Sequence, residues 1–384
     1  MTRPKILGTG SAASPEDARR PEIVGAANTT SRRKDTAVET AIGVCEVNHL
    51  GDAVCFLPTL RAIARARTDT SVLVVCTPVA KEVFQGSSPN LVFTTVPYDH
   101  FRGVRGICLG AAMGLERRRK METVLLSYDE PGASYALALI SGARRRVGYD
   151  SRLATLESTI TERIPCAISK HAIDLNYDLA RHFLGGSCPP LDRVPIAIPE
   201  DARKTVDEIM TSKGVKRPYA AIHPYSKLPY RAWSENKFSD VAAWLIGRGF
   251  DVIWLSATET AGPPGAHVVH GVGVKVMAGL IEGAALFIGN NSGPYNVACA
   301  MGTPSCVVQG PSPDRWGSFW KDVPVRIVRL PGGLSCMPCE RFGAVPGYCA
   351  NKVQYEACMR DLAPVSVTEA LEDLLGELNG RIHG

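Results

Sequence analysis

The chain has 384 residues, 45% of them hydrophobic and 21% charged, a globular composition that excludes a disordered or fibrous protein. Its formal net charge of +5 is mild: it suits an anionic small-molecule ligand and gives no sign of nucleic-acid binding. There is no apolar run of about 18 residues to span a membrane and no apolar signal core near the N-terminus. The expected compartment is the cytoplasm, where the 12 cysteines would be mostly reduced.

Residues 1–37 are polar, without periodicity, and the first 40 are expected to form a disordered tail. From residue 41 the pattern alternates. Ile42–Val47 reads as a strand, and Ala53–Ala66 as a helix with Val54, Leu57, Leu60, Ile63 and Ala64 on one face. Val72–Cys76, Leu91–Val96, Thr123–Ser127 and Arg146–Gly148 continue the strands, and 167–185 reads as a helix. The proline-rich stretch Cys188–Pro199 reads as a linker between domains. A second alternation follows: strand Tyr219–Ile222, a helix capped by Ser234, strand Val252–Leu255, helix Val274–Glu282, strand Leu286–Ile288, helix Gly293–Met301 and strand Ser305–Val308. A last helix is expected at about 366–378. Strand–helix alternation of this kind predicts an α/β fold: two doubly wound parallel sheets, with a cleft between them and ligands at the carboxyl ends of the strands.

Four motifs carry chemistry. Asn48-His49-Leu50-Gly51-Asp52-Ala53 follows a strand and opens a helix; Asp52 either complements the helix dipole or serves as a general base. Ile288–Asn296 runs from a strand through a Gly-containing turn into a helix whose free N–H groups, around Ser292 and Gly293, attract phosphate unless they are merely capped. His223-Pro224-Tyr225-Ser226-Lys227, followed by Arg231-Ala232-Trp233, offers Lys227 and Arg231 as a diphosphate clamp or is a solvated basic loop. Cys336, Cys339, Cys349 and Cys358 have spacing compatible with a four-thiolate zinc or iron site, or with structural cysteines, free or disulfide-linked.

In order, Leu50-Gly51-Asp52 with Leu57-Pro58-Thr59-Leu60, the span from Ile288 through Gly302-Thr303-Pro304, Gly310-Pro311-Ser312, and the four cysteines followed by Met359 resemble the heptosyltransferase family, glycosyltransferase family 9, over about residues 41–375. The cysteine pattern is also similar, at shorter spacing, to the iron-holding motif of the heptosyltransferases that modify autotransporter proteins. The resemblance implies a GT-B architecture of two Rossmann-like domains facing a central cleft. Residues 41–190 would take the acceptor, 191–365 the nucleotide-sugar, and 366–384 would form a C-terminal helix and tail. It implies inverting transfer from an ADP-heptose-like donor with no catalytic cofactor, leaving structural iron or zinc at the cysteines open. Asp52 matches the family's base, Arg231 its donor-phosphate contact, and Tyr225 and Ser226 the neighbouring phosphate pair. Asn291 and Asn296 stand where the family has Asp and His, which puts the usual heptose in question. Lipopolysaccharide core, a protein and a small natural product all fit as acceptor. The basic runs 117–120 and 144–146 read as solvated loops or as a positive acceptor-side surface. A nucleotide-sugar epimerase and a non-catalytic sugar-nucleotide or metal-binding scaffold are the alternative readings.

Overall fold

Short runs of buried aliphatic residues build two sheets. The computed structural model describes residues 42–150, 158–340 and 347–383; the expected tail at 1–40 lies outside the described residues. The first sheet comprises β1 (Ile42–Glu46), β2 (Val72–Cys76), β3 (Leu91–Thr95), β4 (Thr123–Leu126), β5 (Arg145–Tyr149) and β6 (Glu162–Ile164). Its strands are all parallel, in the order β3-β2-β1-β4-β5-β6. The second comprises β7 (Tyr219–His223), β8 (Asp251–Ser256), β9 (His267–His270), β10 (Leu286–Asn290), β11 (Ser305–Val308) and β12 (Val325–Val328). It is also parallel and runs β9-β8-β7-β10-β11-β12, the same winding repeated. Strands β1, β2, β7 and β10 are covered on both faces, which is why they read as continuous apolar runs rather than alternating ones.

The first sheet carries α1 (Leu50–Ala66), α2 (Pro78–Phe84), α3 (Gly103–Glu116), α4 (Gly132–Ile140) and α5 (Ala172–Leu184). An extended segment from Cys188 leads to α6 (Glu200–Lys213). The second sheet carries α7 (Glu235–Ile246), α8 (Val274–Glu282), α9 (Gly293–Met301), α10 (Ala357–Arg360) and α11 (Pro364–His383). Three helices of the sequence reading shift: Ala53–Ala66 extends to α1, 167–185 contracts to α5, and 366–378 extends to α11. One apolar cluster is continuous through both sheets, from Val44, Phe56 and Leu57 to Tyr295, Val297 and Phe287. The seam is the contact of α1 with α9, and beside it α2 meets α8, where Val274 N donates to Glu82 Oε2 (2.7 Å) and Lys275 Nζ to the Gln85 carbonyl (2.7 Å). Separate clusters back each sheet, one under α3 and α4 and the other under α7 and α11.

In each sheet the order reverses between the first and fourth strands, so a crevice opens at the carboxyl ends of β1 and β4, and of β7 and β10. Three of the four motifs follow β1, β7 and β10. The winding alone therefore puts them at the two switch points.

Candidate active site at the facing switch points

Helices α1 and α9 meet at their N-terminal ends. Gly51 lies against Asn296 and Gly293: a Cβ on Gly51 would sit 3.0 Å from Asn296 Nδ2 and 3.6 Å from Gly293 Cα. A Cβ on Gly293 would meet the Leu50 side chain at 2.9 Å. Both glycines are thus set by close approach, not by a left-handed turn. The Cys55 thiol donates to Asn296 Oδ1 (3.6 Å), a second tie across the same seam. Asp52, in the first turn of α1, directly follows the Gly51 that touches Asn296 and Gly293.

Burial pushes the Asp52 carboxyl up to about 6, with the Asp129 charge adding to the rise; the His49 backbone N–H (3.4 Å to Oδ2) and the Arg231 charge pull the other way. Arg231 therefore acts electrostatically on Asp52 although it comes from the opposite sheet. His49 stacks on Tyr98 (centroids 4.1 Å apart), with Lys227 Nζ 3.4 Å from its Nε2. Arg102 lies over the Tyr98 ring at 4.2 Å. Burial first, then Lys227 and Arg102, lower the His49 pKa to about 4, so it is neutral at pH 7. Tyr98, Arg102 and Asp129 were not singled out in the sequence. Asp129 takes a left-handed backbone conformation (φ 63°), which a non-glycine residue adopts at a cost, commonly at a working site.

Behind Asp52 lies a buried carboxyl pair that sequence reading also missed. The Ser127 hydroxyl is 2.6 Å from Glu46 Oε2 and 2.8 Å from Glu130 Oε1. One hydroxyl hydrogen cannot serve two carboxylates, so one carboxyl must bring its own proton. Burial raises both acids, and the Glu130 charge further raises Glu46. Glu130 also accepts from Val47 N (3.1 Å) and Ser134 Oγ, and Glu46 from Asn48 Nδ2 (3.1 Å). The pair thereby holds the turn that presents Asp52. The available signal was positional: Glu130 follows β4, the strand beside β1.

On the second sheet, Asn290 fixes the loop after β7, accepting from Trp233 N (2.9 Å) and donating to the Pro224 carbonyl (2.7 Å). Tyr225 donates to Glu235 Oε1 (2.9 Å), and Ser226 Oγ accepts from Leu228 N (3.4 Å). Ser292 occupies the N-cap position of α9, but its hydroxyl bonds the Asn290 carbonyl (3.2 Å) and leaves the helix N–H groups uncapped by it. Ser234 likewise holds the cap position of α7 without a side-chain cap bond. Asn291 points inward: Nδ2 donates to Gln309 Oε1 (2.5 Å) and to the Trp316 carbonyl (2.9 Å). Gln309 Nε2 is committed to the Ser312 and Pro313 carbonyls, so its oxygen must accept, and Asn291 must present its amide hydrogens. Asn296 Nδ2 donates to the Ser292 carbonyl (3.2 Å).

Arg231 is ion-paired with Glu340, a buried acid that also accepts from Tyr230 (2.8 Å) and Ser312 (2.8 Å). Glu340 directly follows Cys339. The four cysteines are free thiols near enough to raise the pKa values of Cys339 and Cys358, each lifted chiefly by burial. The Cys336 and Cys349 sulfurs accept from Asn351 Nδ2 (3.4 Å) and Glu356 N (3.3 Å). Among the described residues no three His, Cys, Asp or Glu side chains are grouped to hold a metal ion.

Residues 120–343 match glycosyltransferase family 9 (heptosyltransferase). The chain belongs to that family. Lipopolysaccharide heptosyltransferase 3 of Escherichia coli K12 is 28% identical over 152 residues, 35% of this chain and 42% of that protein, so the family 9 chain spans about two fifths of this curated relative. Among solved structures, a family 9 glycosyl transferase of Veillonella parvula superposes with a TM-score of 0.67 at 18% identity over 88% of this chain and 97% of that one. E. coli heptosyltransferase WaaC with ADP gives 0.63 at 15% over 87% and 100%. The iron-containing dodecameric glycosyltransferase TibC of enterotoxigenic E. coli gives 0.56 at 16% over 88% and 77%. At these identities the likeness concerns the fold, and the two sheets described above are its GT-B pair.

Proposed function

We propose that the chain is an inverting glycosyltransferase moving a heptose or related sugar from an ADP-linked donor to an acceptor hydroxyl. The observation that carries this reading is the close approach of the α1 and α9 N-terminal ends beside Asp52, with Arg231 acting electrostatically on Asp52 and Lys227 reaching His49 from the second sheet. Family membership and the ADP bound by the structurally similar WaaC support the donor class. Residues 41–190 would receive the acceptor and 191–365 the nucleotide-sugar.

Asp52 takes the proton from the acceptor hydroxyl. The acceptor oxygen bonds to the anomeric carbon as the bond to the diphosphate oxygen breaks, and the diphosphate leaves with that electron pair. Its growing charge meets Lys227, Arg231 and the N–H groups at Ser292–Gly293; Tyr225 and Ser226 line the same loop. With its amide turned inward, Asn291 shapes the sugar pocket through Gln309 and Trp316, and Asn296 holds the seam to α1. No step needs a metal, and none is routed through the cysteines.

Asp52→Ala should lower transfer about 10²–10⁴-fold, the range for a positioned base, while calorimetric titration still shows ADP binding. Transfer at the parental rate would remove Asp52 from the mechanism. ADP binding in a parent chain that transfers to no acceptor would favour the binding-scaffold reading.

A further inference from the structure

Helix α3 is built unlike its neighbours. On one face Gly106, Gly110 and Gly114 recur every fourth residue, and a Cβ at Gly110 would collide with the Ala133 carbonyl and one at Gly114 would lie 2.8 Å from the Leu137 carbonyl. That face is locked against α4. The opposite face carries Val104, Ile107, Cys108, Ala111, Ala112 and Leu115, spaced as one helical stripe, and most of it is bare to solvent: Val104 is 77%, Ile107 45% and Leu115 59% exposed. Leu139 of α4 is also exposed, at 46%. Contiguous apolar surface of this kind marks a contact site.

The turn that ends α3 is basic. Arg118, Arg119 and Lys120 are exposed, with no ion-pair partner among the described residues. Arg119 N bonds the Ser141 carbonyl (3.1 Å), which fastens this turn to the end of α4 beside the apolar patch. Arg119 has a left-handed backbone (φ 64°), where glycine would be the unstrained choice. Arg105 and Arg144, both exposed, add charge to the flanks.

We propose that the outer face of α3 and the 117–120 turn form a docking surface for an anionic lipid bilayer. The apolar stripe would enter the headgroup boundary while the arginines and lysine meet lipid phosphates. A second copy of this face offers no such complement: the one acid on α3, Glu116, is already paired with Arg117. Arg102, at the start of α3, lies over Tyr98, so a bilayer on this helix would lie next to the cleft. The inference concerns the surface alone and does not depend on the transfer reaction.

Co-sedimentation of the full chain with vesicles tests it. The chain should bind vesicles of phosphatidylcholine mixed with phosphatidylglycerol, bind phosphatidylcholine alone far less, and be released by salt. Ile107→Glu with Leu115→Glu, and separately Arg118→Glu with Lys120→Glu, should each weaken that binding about tenfold or more. Circular dichroism melting and ADP titration should be unchanged, since these side chains are exposed and lie outside the cleft. Failure of the folded parent to bind the anionic vesicles would overturn the proposal, as would variants that bind like the parent. A dimer in light scattering that Ile107→Glu splits, with vesicle binding intact, would assign the face to a second copy instead.

Discussion

At the scale of single residues, ionisation decides what Asp52 can do. An acid lifted to about 6 is still mostly charged near neutrality, and so competent to accept a proton, yet it is a stronger base than an ordinary carboxylate. kcat/KM should therefore be flat above pH 7 and fall as pH drops through about 6. The stability effect has the opposite sense. The folded state holds the Asp52 proton more tightly than the unfolded chain does, so this group makes the protein less stable as pH rises from about 4 to about 6. Asp52→Asn should abolish the kinetic limb and remove that slope, leaving a chain at least as stable at pH 8; a melting point well below the parent's there would contradict the assignment. Asn291 shows how a departure from a family pattern can be local in origin. A carboxylate at 291 would face the Gln309 oxygen and the Trp316 carbonyl with no hydrogen to offer, whereas the amide satisfies both.

Legibility from sequence divides by element. β1, β2, β7 and β10 were readable because central parallel strands are almost wholly apolar, with Glu46, His223 and Asn290 only at their last positions. The outer strands β6, β9 and β12 were not: three or four residues long and half-exposed, they mix Glu162, His267 and Arg326 into the pattern. Helix α6 was missed because Ala202 is its one buried residue, which leaves no periodic stripe to see. The motifs after β1, β7 and β10 were visible through their turn chemistry, but the Glu46–Glu130 pair and Glu340 were not, since their roles come from side chains 84 and 109 positions apart in pairs that only folding brings together, through Ser127 and at Arg231. The α3 glycines make a further point at this scale. Gly110→Val should destabilise by about 1–3 kcal/mol through forced separation of α3 from α4, measured by urea unfolding. Ala112→Val, on the open face, should stay within about 0.5 kcal/mol of the parent.

For the whole molecule, two copies of one winding meet so that Lys227 and Arg231, from the loop after β7, act on His49 and Asp52 of the other sheet's α1. Two cavities, of about 520 and 570 Å³, lie away from the meeting ends of α1 and α9, one lined by Arg61 and Val194 and the other by Arg217 and Ala285. No helix among the described residues is long and apolar enough to cross a membrane. Because ADP would bind the folded lobes and not the unfolded chain, about a hundredfold excess over Kd should add about 2.7 kcal/mol of stability. Thermal-shift measurement should show that gain shrinking in Lys227→Ala and Arg231→Ala and persisting in Asp52→Ala; an undiminished gain in both cation variants would move the phosphate site elsewhere.

The salt link between Arg231 and Glu340 has a consequence for affinity. In the proposed reaction an incoming diphosphate would find the Arg231 guanidinium already engaged, and would have to displace the acid or share the arginine with it. Since Glu340 is the next residue after Cys339, on that proposal the conformation of the thiol-bearing turn and the hold on ligand would be reciprocal: drawing the turn away from Arg231 would free the cation for phosphate, and bound phosphate would loosen the turn. The segment would then act as a tethered competitor for the same cation.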